Sequence, residues 1–311
     1  MMKVYVLDPI YPDGVEILRQ HADVVSWDDP CADQWPDDAD GLIVRTTRIE
    51  AADLARAGRL KVIGKQGVGV ENIDLDAARK FGVRVFNTAG VNAEAVAEMA
   101  MALALSVARR VTQTDRLLRA GEKVVRQNFH GRGFSGKTLG VIGMGHIGRK
   151  VAQKWRNAFE MKVLGFDPFA SDDAWVQVDC ERVAALDDLL PKVDLLSIHA
   201  PLTDATRRLI GSAQLAQMKE TAILVSAARG GIVDEAALYE AISKGQLYGA
   251  ALDVFETEPP PADHPLLSLP TFVATPHIGG GTIETQELNA KTVAEGLLGA
   301  LRGELPLTMV V

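Results

Sequence analysis

The sequence has few cysteines, and this scarcity excludes two kinds of site. Only Cys31 and Cys180 occur among the 311 residues, far apart and without a C-x-x-C spacing. Disulfide frameworks and thiolate metal sites need more, and more closely spaced, cysteines. The 6 histidines also lack the spacing of metal ligands, so no metal site is predicted. This cysteine usage suits the reducing cytoplasm.

Excess positive charge and long apolar runs are lacking as well. A formal net charge of −8 argues against a surface for nucleic acid or an anionic membrane. The most apolar stretch, residues 95–108, is interrupted by Glu98 and is too short to span a bilayer, so it predicts a buried helix. Residues 4–7 read as a strand with no signal peptide before them. We expect a cytoplasmic chain that ends without an appended regulatory domain.

Glycine, in contrast, is abundant, and one glycine motif lies near the middle of the chain. Residues 139–142 form a short apolar run, a G-x-G-x-x-G motif and a helical pattern follow, and residues 161–166 form a second apolar run. In such a motif the first glycine permits a tight turn, the second lets the backbone approach a pyrophosphate, and the third lets the helix pack on the strand. The helix N-terminus then faces the phosphates. We predict dinucleotide binding by the motif residues Gly143, Gly145, His146, Ile147 and Gly148.

An acidic residue after the second apolar run indicates which dinucleotide is bound. Asp167 lies 19 residues after Gly148, where a carboxylate would accept hydrogen bonds from a ribose diol. Its negative charge would repel a 2′-phosphate, and residues 168–171 contain no arginine that could receive one. The sequence therefore predicts NAD rather than NADP as the cofactor.

Strand and helix patterns alternate along both halves of the chain, which is typical of parallel α/β sheets. The first half shows four strand patterns and the second half six. Asn92 is expected to cap a long helix running towards Arg110 or beyond, and a helix over residues 212–218 is also predicted. The last helical pattern, residues 282–301, is expected to return to the first domain.

We therefore predict an α/β protein of two doubly wound parallel-sheet domains. Residues 1–95 with 282–311 would form a discontinuous, flavodoxin-like substrate domain. Residues 96–281 would form a Rossmann NAD-binding domain inserted into it.

Three polar residues follow the last three predicted strands. Arg229, Glu258 and His277 lie in the loops after those strands, and ligands of open parallel sheets sit outside the carboxyl ends of the strands. An arginine can clamp the carboxylate and keto oxygen of a 2-oxo acid. A histidine can give a proton to the carbonyl oxygen, and a glutamate can keep that imidazole charged. Surface ion pairs and a structural histidine are the alternative for each residue alone.

Together, the motifs resemble the D-isomer-specific 2-hydroxyacid dehydrogenases, in particular the phosphoglycerate and hydroxypyruvate branch. The resemblance covers nearly the whole chain, and Glu258 lies 29 positions after Arg229. The motifs that carry it are residues 67–74, 143–148 with Asp167, 199–201, 227–235, 253–259 and 275–280.

The resemblance implies a role for each matching residue. Arg229 would orient the substrate, His277 would donate and accept the proton, and Glu258 would be its partner. Asp253 would contact the nicotinamide amide, and a homodimer built around the cofactor domains is implied. Further cofactor contacts would come from Ala200, Pro201, Ala227, Ala228, Gly279 and Gly280, besides Arg229 and His277.

On the substrate side, the resemblance implies that backbone N–H groups of Gly67, Val68 and Gly69 receive the substrate carboxylate. Arg45, with Arg48 nearby, could reach a distal phosphate, sulfonate or second carboxylate. Both arginines could equally be surface charges beside a strand end. The sequence does not name the substrate.

The leading hypothesis is an NAD-dependent dehydrogenase that interconverts a small D-2-hydroxy acid and its 2-oxo acid. The competing hypothesis is a non-enzymatic NAD(H)-sensing or corepressor-like protein on the same fold, because fold alone does not fix function. A formate-type or phosphonate-type oxidant is a third possibility. That class would typically pair the histidine with glutamine, so Glu258 argues against it.

Overall fold

The structure, a computed structural model, describes residues 2–306 and 308–311. The chain divides into two compact units, one of Met1–Asn92 with Gly281–Val311 and the other of Ala93–Gly280. The strands are β1 Lys3–Val6, β2 Asp23–Val25, β3 Gly41–Val44, β4 Val62–Lys65, β5 Arg84–Asn87, β6 Thr138–Ile142, β7 Lys162–Phe166, β8 Glu181–Arg182, β9 Leu195–Ile198, β10 Ile223–Ser226, β11 Gly249–Leu252 and β12 Phe272–Ala274.

Helices connect these strands in both units. The helices are α1 Pro12–Arg19, α2 Trp35–Asp38, α3 Ala51–Arg56, α4 Leu75–Phe81, α5 Ala93–Ala108, α6 Val111–Arg119, α7 His146–Phe159, α8 Asp172–Val176, α9 Leu186–Leu189, α10 Ser212–Leu215, α11 Glu235–Ser243 and α12 Ile283–Leu301. Short 3₁₀ turns occupy Ala32–Gln34, Arg126–Asn128, Leu190–Lys192 and Pro265–Ser268.

The first unit is built on a parallel sheet with the order β2-β1-β3-β4-β5 across the residues described. This is the 2-1-3-4-5 order of flavodoxin-like folds. Its central strands, β1, β3 and β4, are largely buried, as in parallel sheets covered by helices on both faces. α12 packs against α1, β3 and β4 and so covers one face.

The second unit is built on a larger parallel sheet with the order β12-β11-β10-β9-β6-β7-β8 within the described chain. Counted from β6, the first six strands follow the 3-2-1-4-5-6 order of the Rossmann fold, and β12 extends it by one. Two buried clusters cover its faces, one centred on Trp155 and α5 and the other on Leu196 and Leu224. The predicted α/β class with two doubly wound parallel sheets is confirmed.

Two edge strands were absent from the sequence prediction, which gave the sheets four and six strands. β2 has three residues and pairs with β1 alone, whereas β8 has two exposed charged residues paired with β7. Neither carries the apolar run by which a buried strand is recognised. Register with a neighbouring strand, which is tertiary information, is what makes them strands.

Two helix predictions also need correction. Asn92 does not cap α5, because its Oδ1 atom is buried and has no hydrogen-bond partner in the described part of the chain. The helix ends at Ala108, and Arg110 adopts φ 55° before a separate helix, α6, begins at Val111. The helix predicted over residues 212–218 ends at Leu215.

Candidate active site

The glycine motif forms the turn between β6 and α7. Gly143 has φ +89°, and a Cβ there would lie 2.7 Å from the backbone carbonyl of His199. A Cβ on Gly148 would lie 1.9 Å from the Gly143 carbonyl oxygen, so only glycine allows the helix to start this close to the strand. A Cβ on Gly145 would meet no described atom within 4 Å. The protein itself thus requires the first and third glycines, whereas the second faces open space, as a pyrophosphate cradle requires.

Asp167 directly follows β7 and is held beside this turn. Its Oδ2 accepts a hydrogen bond from the Met144 N–H at 2.8 Å, and its Oδ1 accepts from Phe169 N at 2.9 Å and Ala170 N at 3.0 Å. A carboxylate offers about four lone-pair positions, so acceptor capacity remains for a diol. The carboxylate therefore has a fixed orientation and a negative charge next to the dinucleotide turn.

His277 and Glu258 form a hydrogen-bonded pair after β12 and β11. His277 Nδ1 lies 2.7 Å from Glu258 Oε2, and the side chains are 45% and 36% exposed. The other carboxylate oxygen of Glu258 accepts from Phe255 N at 3.0 Å. Because Nδ1 is occupied by Glu258, Nε2 is the ring nitrogen that can exchange a proton with a bound molecule.

Asp253 anchors the loop that carries His277, a role that sequence reasoning missed. The residue is 1% exposed, and its Oδ1 accepts from Thr275 Oγ1 at 2.6 Å and Ile278 N at 2.9 Å. Its Oδ2 accepts from Gly279 N at 2.8 Å, and its carbonyl accepts from His277 N at 2.7 Å. The nicotinamide contact implied for Asp253 stays a prediction.

The backbone of His277 is in an unusual conformation. Its φ of 55° lies in the left-handed region, which costs energy for a residue other than glycine. The hydrogen bonds that Asp253 accepts from His277 and from residues on both sides of it hold it there. Such strain is concentrated at functional sites, so this observation favours a functional role for His277.

The loop that carries Arg229 follows β10, the strand next to β11. Nη1 of Arg229 donates to the Ala228 carbonyl at 2.8 Å. A Cβ on Gly230 would lie 1.9 Å from the Phe255 carbonyl oxygen, so the arginine loop and the loop leading to Glu258 are in close contact. The loops of Arg229, Glu258 and His277 therefore lie at the carboxyl ends of three neighbouring strands, β10, β11 and β12.

His199, Ala200 and Pro201 follow β9 beside the glycine turn. His199 Nε2 lies 2.7 Å from Ser197 Oγ, and the His199 Nδ1 atom is buried with no partner among residues 2–306 and 308–311. Burial lowers the pKa of His199 to about 3. Part of the residue reaches the surface, but Nδ1 is buried and Nε2 contacts Ser197, so the imidazole is neutral at physiological pH.

In the first unit, Asp8 fixes the loop that carries Arg45. Its carboxylate accepts from the N–H groups of Arg45 at 2.6 Å and Thr47 at 3.1 Å, and from Thr46 Oγ1 at 2.6 Å. Burial opposes ionisation of Asp8, but these hydrogen bonds outweigh it and lower the pKa of the carboxyl group. The side chains of Arg45 and Arg48 are left exposed.

The glycine loop of the first unit differs from its expected use in one respect. Gly67 has φ +116°, and its N–H donates to Thr88 Oγ1 at 2.8 Å, so this group is already occupied. The N–H groups of Val68 and Gly69 donate to no acceptor among the described residues. Thr88, whose Oγ1 also lies 2.6 Å from Asn289 Oδ1, was not identified from sequence because no motif marks it.

The described residues contain neither a membrane-spanning helix nor a cluster of metal ligands. Every helix in that part of the chain is too short or too polar to cross a membrane. Within residues 2–306 and 308–311, no three His, Cys, Asp or Glu side chains are arranged to hold a metal ion.

Comparison with known proteins gives the family. Residues 101–279 match the model of the D-isomer specific 2-hydroxyacid dehydrogenase NAD binding domain. The chain is also 39% identical over 321 residues to glyoxylate reductase of Aeropyrum pernix, covering 99% of this chain and 95% of that protein. The chain belongs to the D-isomer specific 2-hydroxyacid dehydrogenase family. The predicted family and the nicotinamide cofactor, NAD(H), are confirmed.

The chain is also similar to a longer relative and to a solved structure. D-3-phosphoglycerate dehydrogenase of Methanocaldococcus jannaschii is 41% identical over 309 residues, covering 98% of this chain. This chain spans only 58% of that relative. The crystal structure of the TT0316 protein from Thermus thermophilus superposes with a TM-score of 0.89 at 38% identity, covering 100% of both chains.

Proposed function

We propose that this chain is an NAD-dependent dehydrogenase that interconverts a small D-2-hydroxy acid and its 2-oxo acid. The observation that carries the proposal is the 2.7 Å contact between His277 Nδ1 and Glu258 Oε2. This pair follows strands of the same sheet whose β6 leads into the dinucleotide turn. The names of the relatives support it, because glyoxylate is a 2-oxo acid and phosphoglycerate is a 2-hydroxy acid.

The proposed chemistry assigns one task to each residue. The nicotinamide, when bound, supplies or accepts the hydride. Nε2 of His277 gives a proton to the carbonyl oxygen during reduction and removes it from the hydroxyl during oxidation. Glu258 favours the charged imidazole that reduction needs. The Arg229 guanidinium binds the substrate carboxylate and keto oxygen, and its planar fork fixes their orientation.

A turnover assay tests this proposal against a pure NAD(H) sensor. Purified protein with NADH is offered 2-oxo acids that differ at the third carbon by hydroxyl, phosphate, sulfonate or carboxylate. NADH oxidation with at least one acid is expected, together with NADH binding seen by fluorescence titration. Tight NADH binding without turnover of any acid would contradict the enzyme and favour the sensor, since a sensor needs the dinucleotide turn but no proton donor.

The preference for NAD over NADP belongs to the same proposal and rests on Asp167. Wild-type protein should prefer NADH to NADPH by about tenfold or more in kcat/KM, since one repulsive charged contact is worth roughly 1.4 kcal/mol. Asp167→Ser should narrow this ratio, mainly by weakening NADH. Asp173→Ser, which removes an exposed carboxylate six residues further on, is the matched control and should keep it. Equal use of both cofactors by the wild type would contradict the assignment.

We further propose that Arg45 and the N–H groups of Val68 and Gly69 bind anionic groups of the substrate. Their support is the anchored loop of Arg45 and the two backbone donors without protein acceptors in the described chain. Arg45→Met should raise KM for acids with a second anionic group by about tenfold and leave KM for glyoxylate nearly unchanged. An equal change for both kinds of acid would show that Arg45 does not select the distal group.

A further inference from the structure

The second unit contains another imidazole–carboxylate pair outside the proposed proton-transfer pair. His264 Nε2 lies 2.9 Å from Glu235 Oε2, and these side chains are only 16% and 14% exposed. Glu235 is the first residue of α11, and His264 precedes the 3₁₀ turn Pro265–Ser268. Two such groups are rarely buried unless they are hydrogen-bonded to each other. Nothing in the proposed reaction uses this pair.

The buried pair contacts the loop that carries Glu258 through a hydrogen bond and a ring contact. Glu235 Oε1 accepts from the Glu256 N–H at 2.7 Å, while the preceding N–H, that of Phe255, donates to Glu258 Oε1 at 3.0 Å. Two carboxylates therefore hold consecutive backbone N–H groups of one loop. The Phe255 ring also packs edge-on against the His264 ring, with centroids 5.7 Å apart and planes at 74°. A change at Glu235 or His264 is transmitted directly to the backbone that orients Glu258.

We propose that Glu235 and His264 form a positioning clamp that keeps Glu258 within hydrogen-bond reach of His277. The proposal rests on the proposed function for the role that Glu258 plays, but the clamp itself is a statement about geometry. Glu258 and His277 are partly exposed, and contacts between exposed charges hold a geometry weakly. The buried clamp supplies the missing restraint, since a carboxylate that accepts two hydrogen bonds away from water is costly to displace. Neither residue touches the reacting atoms.

The first test measures the clamp without any substrate. Amide hydrogen exchange is followed by NMR at Phe255 and Glu256 in wild type, Glu235→Ala and His264→Leu. Both amides should exchange about tenfold faster or more in the two variants, because the hydrogen bonds that protect them open more often. Glu240→Ala, on the same helix with its side chain paired to Lys244, and His130→Gln, at an exposed site, are matched controls and should leave both rates unchanged.

Conservative variants guard against simple misfolding. Glu235→Gln keeps an oxygen for the Glu256 N–H, and His264→Gln keeps a nitrogen donor near the position of Nε2. Both should keep protection at Phe255 close to that of the wild type. If exchange at Phe255 is unchanged in Glu235→Ala and His264→Leu, the pair does not position Glu258, and the proposal is overturned.

The second test asks whether the clamp acts through Glu258. Glu235→Ala should lower kcat for 2-oxo acid reduction by about three- to tenfold with KM nearly unchanged, because only the proton donor is disturbed. It should also move the alkaline limb of kcat/KM to lower pH, in the same direction as Glu258→Gln. In a Glu258→Gln background, Glu235→Ala should cause no further movement of the limb. A shift of the same size in that background would overturn the proposal.

The two proposals fail separately. If the wild type reduces no 2-oxo acid, the proposed function is wrong, and the exchange rates at Phe255 still decide whether the clamp positions Glu258. If turnover is present but the Phe255 amide is indifferent to Glu235 and His264, the function stands and the clamp is wrong.

Discussion

Two pairs of the same chemistry, His277 with Glu258 and His264 with Glu235, lie in one unit and differ in their surroundings. The nitrogen–oxygen distances are nearly equal, 2.7 Å and 2.9 Å. In the first pair the histidine is 45% exposed and Nε2 is available, whereas in the second the histidine is 16% exposed and its remaining nitrogen, Nδ1, is buried. A histidine–glutamate contact is therefore not a functional signal by itself, because what matters is whether a molecule can reach the other nitrogen.

The backbone conformation of the two histidines also distinguishes the two pairs. His277 has φ 55°, in the left-handed region, and depends on Asp253 to stay there. His264 has φ −57° and ψ 126°, a conformation that any residue adopts without strain. The strained histidine is the one at the carboxyl ends of the strands. This combination of strain, exposure and position supports the proposal that His277 transfers the proton and that His264 helps to position its partner.

The largest expected difference between the pairs is in catalysis. His277→Ala should lower kcat by about 10²-fold or more, the usual contribution of a positioned general acid. His264→Leu should lower kcat by about tenfold at most, because it acts through Glu258. Steady-state kinetics with NADH and the best 2-oxo acid measures both values. NADH binding by His277→Ala should stay within a few-fold of wild type, since the glycine turn is untouched. An equal loss of kcat in His277→Ala and His264→Leu would contradict the proposed difference between the two histidines.

The sequence predicts the pair that we propose to be reactive but not the pair that we propose to support it, and the reason is physical. Successive apolar runs precede Arg229, Glu258 and His277. Because the carboxyl ends of parallel strands lie at the same end of a sheet, the three residues are expected to lie together. Glu235 looks like an ordinary first-turn helix acid and His264 like a loop residue. Their contact joins residues 29 positions apart through the tertiary fold, and no local periodicity reports it. Asp253 was recognised, but its hydrogen bonds to the His277 loop depend on backbone directions that a sequence does not show.

The fold was predictable to the extent that its strands are buried. β9 and β10 are wholly buried and, apart from one serine in each, aliphatic, so they were found from their composition. β2 and β8 lie at sheet edges, where partial exposure removes that signal. Asn92 shows the same limit, because a cap depends on the direction of one side chain, whose oxygen here meets no donor among the described residues.

Substitutions in the buried pair should reduce the free energy of unfolding more than substitutions in the exposed pair, which is the reverse of their expected effects on kcat. Glu235→Ala leaves the Glu256 N–H and the buried His264 without a partner, so the free energy of unfolding should fall by about 2–3 kcal/mol. Glu258→Gln keeps shape and acceptor oxygen at a partly exposed site and should change it by less than about 1 kcal/mol. Urea unfolding followed by circular dichroism measures both, with Glu240→Ala as control. A larger loss in Glu258→Gln would mean that the buried pair is not the structural one.

A third histidine, His199, shows what an imidazole without a carboxylate partner does. Burial lowers its pKa to about 3, below the value of about 6.5 in the unfolded chain. As the pH falls, the unfolded state binds a proton at His199 before the folded state does. The contribution of the neutral imidazole to the free energy of unfolding is therefore present above pH 6.5 and is lost as the pH falls below it. Between pH 6.5 and 5 this loss should be about 1.5 kcal/mol. Urea unfolding at both values should show a smaller loss in His199→Gln. An unchanged loss in that variant would mean that His199 titrates normally.

The smallest expected effect is the most specific test of the reactive pair. A carboxylate beside an imidazole favours the charged form, and 2-oxo acid reduction needs that form, so the reductive rate falls as the pH rises and the imidazole loses its proton. Glu258→Gln removes the charge at nearly constant shape, so the alkaline limb of reductive kcat/KM should move to lower pH. Hydroxy-acid oxidation needs the neutral imidazole, and its acid limb should move the same way. Glu240→Gln, an exposed glutamate of the same unit, should move neither limb. If both limbs stay in place in Glu258→Gln while the protein is folded and binds NADH, the 2.7 Å contact does not control the proton of His277.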